Sequence, residues 1–176
     1  LYMLRDYVAG GANTAGVTFR LTENIALPST TITTTTAAKN KNNYSNSSDI
    51  GTEANPFKGI FDGNGKTIFN LAISNIQLDA DGYAYAGLFG VTEGVAGNEN
   101  TIKDLKIENV IINTKGHIVA AAIAYPYYTA LENITVCGDI AIKGGDYTAG
   151  VLGYTRRCVD AKNVTVAGNA GSYITG

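Results

Sequence analysis

The chain repeats itself at an interval of about thirty residues, and that period restricts the fold more than any single motif does. Runs of small and aliphatic residues recur as Tyr85-Ala86-Gly87-Leu88-Phe89-Gly90-Val91, Val119-Ala120-Ala121-Ala122-Ile123-Ala124-Tyr125 and Thr148-Ala149-Gly150-Val151-Leu152-Gly153-Tyr154. Gly87 to Ala121 spans 34 positions and Ala121 to Gly150 spans 29. A second landmark keeps the same step: Asn70-Leu71-Ala72-Ile73, Asp104-Leu105-Lys106-Ile107, Asn133-Ile134-Thr135-Val136 and Asn163-Val164-Thr165-Val166, whose first residues are 34, 29 and 30 apart. A unit of this size cannot bury an apolar face alone and must stack on its neighbours. The period therefore implies a solenoid whose coils pair in parallel.

Coils stacked about 4.8 Å apart turn equivalent positions into columns along the axis. Leu105 and Ile107, Ile134 and Val136, and Val164 and Val166 are expected to point inward, with Lys106, Thr135 and Thr165 outward between them. The columns Gly87, Ala121, Gly150 and Gly90, Ala124, Gly153 lack bulk in every coil, which implies tight corners or close approach of backbone. The column Val91, Tyr125, Tyr154 would set two rings side by side.

Residues 1–16 read as a helix and lead-in segment, because Leu1, Leu4 and Val8 form a helical stripe that Gly10-Gly11 ends. So short a helix needs an apolar surface to lie on, and the end of a solenoid supplies one. Residues 17–176 read as the solenoid, starting with the alternating Val17-Thr18-Phe19-Arg20-Leu21. A Thr-, Asn- and Ser-rich stretch at about 29–55 reads as a polar loop excursion, with Thr30 to Thr36 a possible edge strand before it. Asp62-Gly63-Asn64-Gly65 reads as a sharp turn between strands. A start directly in structure at Leu1 and a stop part-way through a repeat at Gly176 suggest a part of a longer chain with open ends, through which copies could associate.

Charge and composition narrow the partners. A net charge of -2 gives no basic field for nucleic acid. No apolar stretch approaches the roughly 18 residues that span a bilayer, so direct membrane insertion is not expected. Cys137 and Cys158 are expected to stay unpaired: Cys137 falls one coil below Ala167, and nine extended residues cover roughly 30 Å, against the roughly 7 Å limit between disulfide-linked Cα atoms.

Acidic residues are scattered. By the repeat, Glu108 stacks above Ser74 and below Cys137, and Asp104 is the one charged member of its column with Asn133 and Asn163. Asp79 with Asp81, and Asp62 with Asn64, fit turns better than cation sites. His117, the only histidine, reads as a lone surface residue with no nucleophile beside it. With no metal-binding, phosphate-cradling or Cys-x-x-Cys motif, no catalytic residue, metal or cofactor is assigned. Asn43, Asn46, Asn133 and Asn163 satisfy the glycosylation sequon, the last two because the repeat recurs. The candidate ligand-binding residues are Tyr125, Tyr127 and Tyr128, grouped around Pro126, with Arg156 and Arg157 in the equivalent turn one coil later. Exposed rings stack on sugar or peptide surfaces, and guanidinium groups pack over rings.

Ala86-Gly87-Leu88-Phe89-Gly90 followed by Ile102-Lys103-Asp104-Leu105-Lys106-Ile107, and Phe57-Lys58-Gly59-Ile60-Phe61-Asp62-Gly63-Asn64-Gly65-Lys66-Thr67-Ile68 upstream, resemble the GLUG-repeat surface proteins of bacteria, best represented in gut Bacteroidetes. The stretch from Tyr7 to Leu27 is similar to the N-terminal part of the same group. The resemblance implies an all-β, right-handed parallel β-helix of about 4–5 coils with a short N-terminal capping helix. It also implies an extracellular or cell-surface location in a bacterium and a role as adhesin or stalk. The chain departs from the pattern where relatives carry a Trp and Pro-Ile-Gly, keeping Ile50-Gly51 alone, and where Ala121 and Ala124 replace the run glycines.

These readings lead to a non-enzymatic surface segment whose partners would be a host or bacterial glycan or a surface protein. Two alternatives belong to other classes. A carbohydrate-active β-helix would gather carboxylates and a cation on one lateral face. An ice-binding solenoid would need flat, regular threonine columns, which this repeat lacks.

Overall fold

Alternating and β-branched residues build strands throughout, after one short helix. The elements are α1 (Tyr2–Ala9), β1 (Thr18–Arg20), β2 (Ile25–Ala26), β3 (Ile60–Ser74), β4 (Tyr85–Ala86), β5 (Phe89–Glu93), β6 (Asn100–Asn113), β7 (Ile118–Ala120), β8 (Ile123–Tyr127), β9 (Thr129–Lys143), β10 (Tyr147–Ala149), β11 (Asp160–Gly168) and β12 (Tyr173–Thr175). The computed structural model describes residues 1–28, 49–74, 83–157 and 159–176. The Thr30 to Thr36 segment, Asn43, Asn46, Asp79, Asp81 and Cys158 lie outside the described residues. Among the described residues, no helix is long and apolar enough to cross a membrane.

The largest sheet runs β1-β3-β6-β9-β11, with β2 beside β3 and β12 beside β9. A second sheet runs β10-β7-β4, and a third pairs β5 with β8. Every named strand pair is parallel. Parallel neighbours some thirty residues apart in sequence set each repeat against the next, an all-β architecture compatible with a fold of the β-solenoid type.

The inward ladders form where the repeat puts them. Phe19, Phe61, Ile102 and Leu131 make one column, and Ile68, Ile107 and Val136 another. Leu105, Ile107, Ile134 and Val136 are all at most 1% exposed. Aromatic rings thread the first part of the core, with Phe19, Phe57, Phe89 and Phe61 joined by centroid spacings of 5.8, 5.2 and 5.2 Å. α1 packs on this end: Val8 is buried, Leu1 and Leu4 pack against the core, and the Tyr7 ring lies 6.5 Å from Phe19. The Gly90, Ala124, Gly153 column is indeed a close approach of backbone. A Cβ on Gly90 would sit 2.6 Å from the Gly51 carbonyl oxygen, and one on Gly153 would sit 2.5 Å from that of Ala124.

Within this aliphatic interior lies one polar group of three fully enclosed side chains. The Thr92 and Thr129 hydroxyls are 2.8 Å apart, Thr129 Oγ1 donates to Asn100 Oδ1 at 2.6 Å, and Asn100 Nδ2 donates to the Phe57 carbonyl at 3.4 Å. Each member thereby keeps a hydrogen-bond partner away from water.

Four details depart from the sequence reading. Asp62-Gly63-Asn64-Gly65 is not a reversal but part of the continuous β3, with a register shift between Asp62 and Lys66. Asn64 and Gly65 take left-handed φ values of 52° and 69°, which bend the strand without turning it back. Asn64, with Asp104, Asn133 and Asn163 at 52°, 55° and 52°, is therefore the first member of that column. Asn70 belongs to a second kink with Asn109, because β3 and β6 align Phe69 with Glu108 and Leu71 with Val110. For the same reason Glu108 stacks between Phe69 and Cys137, while Ser74 pairs with Asn113. Finally, the polar excursion does not reach residue 55. Ile50 is buried and bridges Phe89 in parallel, so Ile50-Gly51 is already wall.

Candidate functional site

Two outward-facing arrangements carry the polar chemistry. The first is a ridge of tyrosines. β8 places Tyr125 over Val91 of β5, and the Ile123–Leu152 bridge carries the same register to Tyr154. The Tyr125 and Tyr154 rings stack at 5.8 Å with 14° between planes, as the column predicts. Tyr85 continues the row at 5.4 Å from Tyr125, and Tyr147 meets Tyr154 edge-on at 4.8 Å.

Arg156 bridges Tyr127 in parallel, with its guanidinium 5.8 Å from the Tyr127 ring centre and its Nη1 donating to Tyr125 Oη at 3.1 Å. Tyr128 has a left-handed φ of 46° and sits edge-on to Tyr127 at 4.8 Å. Tyr125, Tyr127, Tyr128 and Arg156 are thus brought together. Arg157 joins through its backbone, its carbonyl accepting the Tyr128 N–H at 3.3 Å, and its residue is exposed. The mutual stacking has a chemical consequence: Tyr125 has a ring on each side, so it offers a ligand its edge and hydroxyl rather than a free face.

The second arrangement escaped the sequence reading. Strand register aligns Arg20, Asp62, Lys103, Glu132 and Lys162 in one column across β1, β3, β6, β9 and β11. The signs alternate at every step. Arg20 Nε and Nη2 both donate to Asp62 Oδ2, at 2.9 and 2.7 Å, while Asp62 Oδ1 accepts the Asn64 N–H at 2.8 Å. Burial pushes the Asp62 carboxyl up, but the Arg20 and Asn64 hydrogen bonds and the charges of Arg20 and Lys103 outweigh it and hold it below the usual carboxylate range. Beside the column, Asn163 Nδ2 donates to Asn133 Oδ1 at 2.9 Å, and Asn133 Nδ2 donates to Asp104 Oδ1 at 2.7 Å. The signal was present in sequence, since the residues just before the landmark Asp or Asn are Lys103, Glu132 and Lys162.

A shallow depression of about 540 Å³ lies over this region, lined by Arg20, Asp62, Asp104, Lys103 and Lys106 among others. Within it Arg20 pairs with Asp62, Asp104 accepts from Asn133, and Lys106 Nζ is 2.7 Å from Glu108. His117 is half-buried at the surface, edge-on to Tyr83 at 5.4 Å, and its enclosed Nδ1 has no hydrogen-bond partner among the described residues. Cys137 is a free, half-buried thiol in register with Ala167. Among the described residues, no three His, Cys, Asp or Glu side chains converge as a metal site would require.

No protein-family model, curated protein or solved structure significantly matches the chain.

Proposed function

We propose that this chain is a non-enzymatic segment of a bacterial extracellular or cell-surface protein, a right-handed parallel β-helix of four to five coils capped by α1, serving as a stalk or adhesin element. The observation that carries the reading is the set of paired polar side chains on the main sheet's outer face, Arg20 with Asp62, Asn133 with Asp104 and Asn163, and Lys106 with Glu108, over an interior filled by aliphatic ladders. Such a face stiffens a rod and presents its loops and ridges to others. The likeness of the Phe57 to Ile68 and Ala86 to Ile107 segments to GLUG-repeat surface proteins supports the location and the adhesin role.

The contact surface on this reading is the ridge of Tyr125, Tyr127, Tyr128, Arg156 and Arg157, offering hydroxyls and guanidinium donors to a glycan or a surface protein. No nucleic acid, metal or cofactor is part of the proposal. The carbohydrate-active alternative has one observation in its favour, the meeting of Asp62 and Asp104 with Arg20, Lys103 and Lys106 in one lateral depression. Both carboxylates there already hold internal donors, and Asp62 is kept ionised, which suits a structural pair better than a proton donor.

An array of glycans and matrix proteins probed with the chain tests the reading. Specific binding that falls about tenfold in a Tyr127→Ala/Tyr128→Ala variant supports the ridge as the contact surface. Cleavage products released from the arrayed polysaccharides would overturn the non-enzymatic assignment.

A further inference from the structure

Backbone conformation singles out one corner of the tyrosine ridge. Among the described residues, eight that are not glycine take left-handed φ values, and six of them are Asn or Asp, whose short polar side chains tolerate that region. The other two are Tyr128 at 46° and Arg157 at 56°. They sit in adjacent coils, where the Tyr128 N–H donates to the Arg157 carbonyl at 3.3 Å. In the column of Asn64, Asp104, Asn133 and Asn163 the repeat meets the same backbone demand with residues that suit it. At the ridge it keeps two bulky ones, in successive coils, under strain. Local preferences are broken in this way where a side chain is retained for contact.

Charge marks the same corner. Arg156 and Arg157 are both exposed, and neither enters an ion pair among the described residues. The acid in their column, Glu93, lies beneath Tyr127 and is paired with Lys58 Nζ at 2.8 Å. Arg156 is held in place by the Tyr127 ring and the Tyr125 hydroxyl, which engage one N–H donor and leave the rest of its fork open. The chain as a whole has a net charge of -2, so attraction for an anion is local to this corner.

We propose that the ligand of the ridge is an acidic glycan, whose carboxylate or sulfate groups are gripped by Arg156 and Arg157 while its sugar rings lie against Tyr127 and Tyr128, and that Tyr128 and Arg157 keep their left-handed positions for this contact. It rests on the ridge being the contact surface and adds the charge of the ligand. Guanidinium groups bind carboxylate and sulfate through paired N–H donors, a geometry that an ammonium group lacks. A sugar acid carries C–H faces, hydroxyls and an anion on one ring, which matches aromatic rings, phenol hydroxyls and guanidinium groups set within one corner. An acidic peptide offers the anion without the other two.

The test titrates the whole chain with hexagalacturonate, with its fully methyl-esterified form and with a chondroitin sulfate hexasaccharide, each followed by calorimetry. One or both acidic oligomers are expected to bind, the ester at least about tenfold more weakly, with an affinity for the acid that falls as salt is added. Comparing the two acidic oligomers separates carboxylate from sulfate. Arg157→Asn and Tyr128→Asn each place a residue that accepts left-handed φ, so each should weaken binding about tenfold while the melting temperature holds or rises. Arg157→Lys, which keeps the charge but not the fork, should bind with intermediate affinity. The proposal is overturned if neither acidic oligomer binds at millimolar concentration, or if a decaglutamate peptide binds as tightly as the better of the two. It is overturned equally if the Asn variants lower the melting temperature without changing affinity, as a purely structural role requires. If acid and ester bind alike and both are lost in the Tyr127→Ala/Tyr128→Ala variant, the claim of an acidic ligand falls while the ridge stands as the contact surface.

Discussion

β9 and β11 carry nearly the same words, Asn133-Ile134-Thr135-Val136 and Asn163-Val164-Thr165-Val166, and yet one is core and the other is surface. Both strands have the same alternation, the same left-handed Asn and the same outward threonine. What differs is the number of neighbours, because β9 lies between β6 and the last row while β11 has β9 alone among the described strands. The opposite end of the sheet offers a third case. β1 is also a terminal strand, but α1 packs Val8, Leu1 and Leu4 against its end of the core. In a repeating fold the pattern of a strand specifies which side chains face inward; whether they are buried is decided by the next row or by a cap.

The sharpest way to break that comparison is to truncate matching residues. Ile134→Ala should cost about 3 kcal/mol in denaturant unfolding, since it removes fully enclosed atoms between two rows. Val164→Ala, one rung out, should cost less than about 1 kcal/mol. Equal losses would mean that the last row is covered in solution.

Glycine gives the next largest contrast. Gly51 has φ +89°, and an added Cβ would collide with the Val91 carbonyl oxygen, whereas Gly171 has φ +90° with open space around it. Gly51→Ala should destabilise by about 3 kcal/mol through strain plus collision, and Gly171→Ala by about 1 kcal/mol through strain alone. Thermal melts of the two variants separate the contributions.

The amide row follows. Asn133 both donates to Asp104 and accepts from Asn163, while Asn163 makes only the first kind of bond among the described residues. Asn133→Gly, which keeps the left-handed backbone at no steric cost, should lose about 1 kcal/mol, and Asn163→Gly about half of that.

The smallest effect is a dependence on acid. Asp62 is held below its ordinary value, so its pairing with Arg20 stabilises the fold in full above the unfolded value near 3.9 and is lost as pH falls toward the lower folded value. Melting temperature from pH 6 to 2 should drop more steeply for the unaltered protein than for Asp62→Asn. At the other end of the same column, Asp160→Asn should leave the melting temperature at pH 6 unchanged, because the Asp160–Lys162 pair is solvent-exposed.

The columns that were legible in the sequence share one property: they lie where the interval between repeats is uninterrupted. The Gly90, Ala124, Gly153 corner, the Tyr125–Tyr154 stack and the ladder of Ile107 and Val136 follow from spacing alone. Asn70 was misplaced because β3 has three residues, Gly63 to Gly65, where β6 has Asp104 alone, so Asn64 rather than Asn70 is the left-handed residue opposite Asp104. Asp-Gly-Asn-Gly reads as a hairpin turn because the same positive φ values serve both purposes; only pairing decides between a reversal and a bend. The alternating charges were hidden for a related reason, since their signs are meaningful only once the shifted register is known. The ridge was legible as a group of residues, but the direction in which its rings face depends on side-chain packing that spacing does not encode.

Aliphatic ladders have one weakness as a guide to assembly: each rung resembles the next, so two coils could slide by a rung and still bury hydrocarbon. Thr92, Thr129 and Asn100 remove that freedom. Their hydrogen bonds link one site on β5 to single sites on β6 and β9, and any other alignment would break the Thr92–Thr129 and Thr129–Asn100 bonds between enclosed side chains. A small buried polar group thus keeps neighbouring coils from slipping, and the uniform hydrocarbon around it could not do so alone.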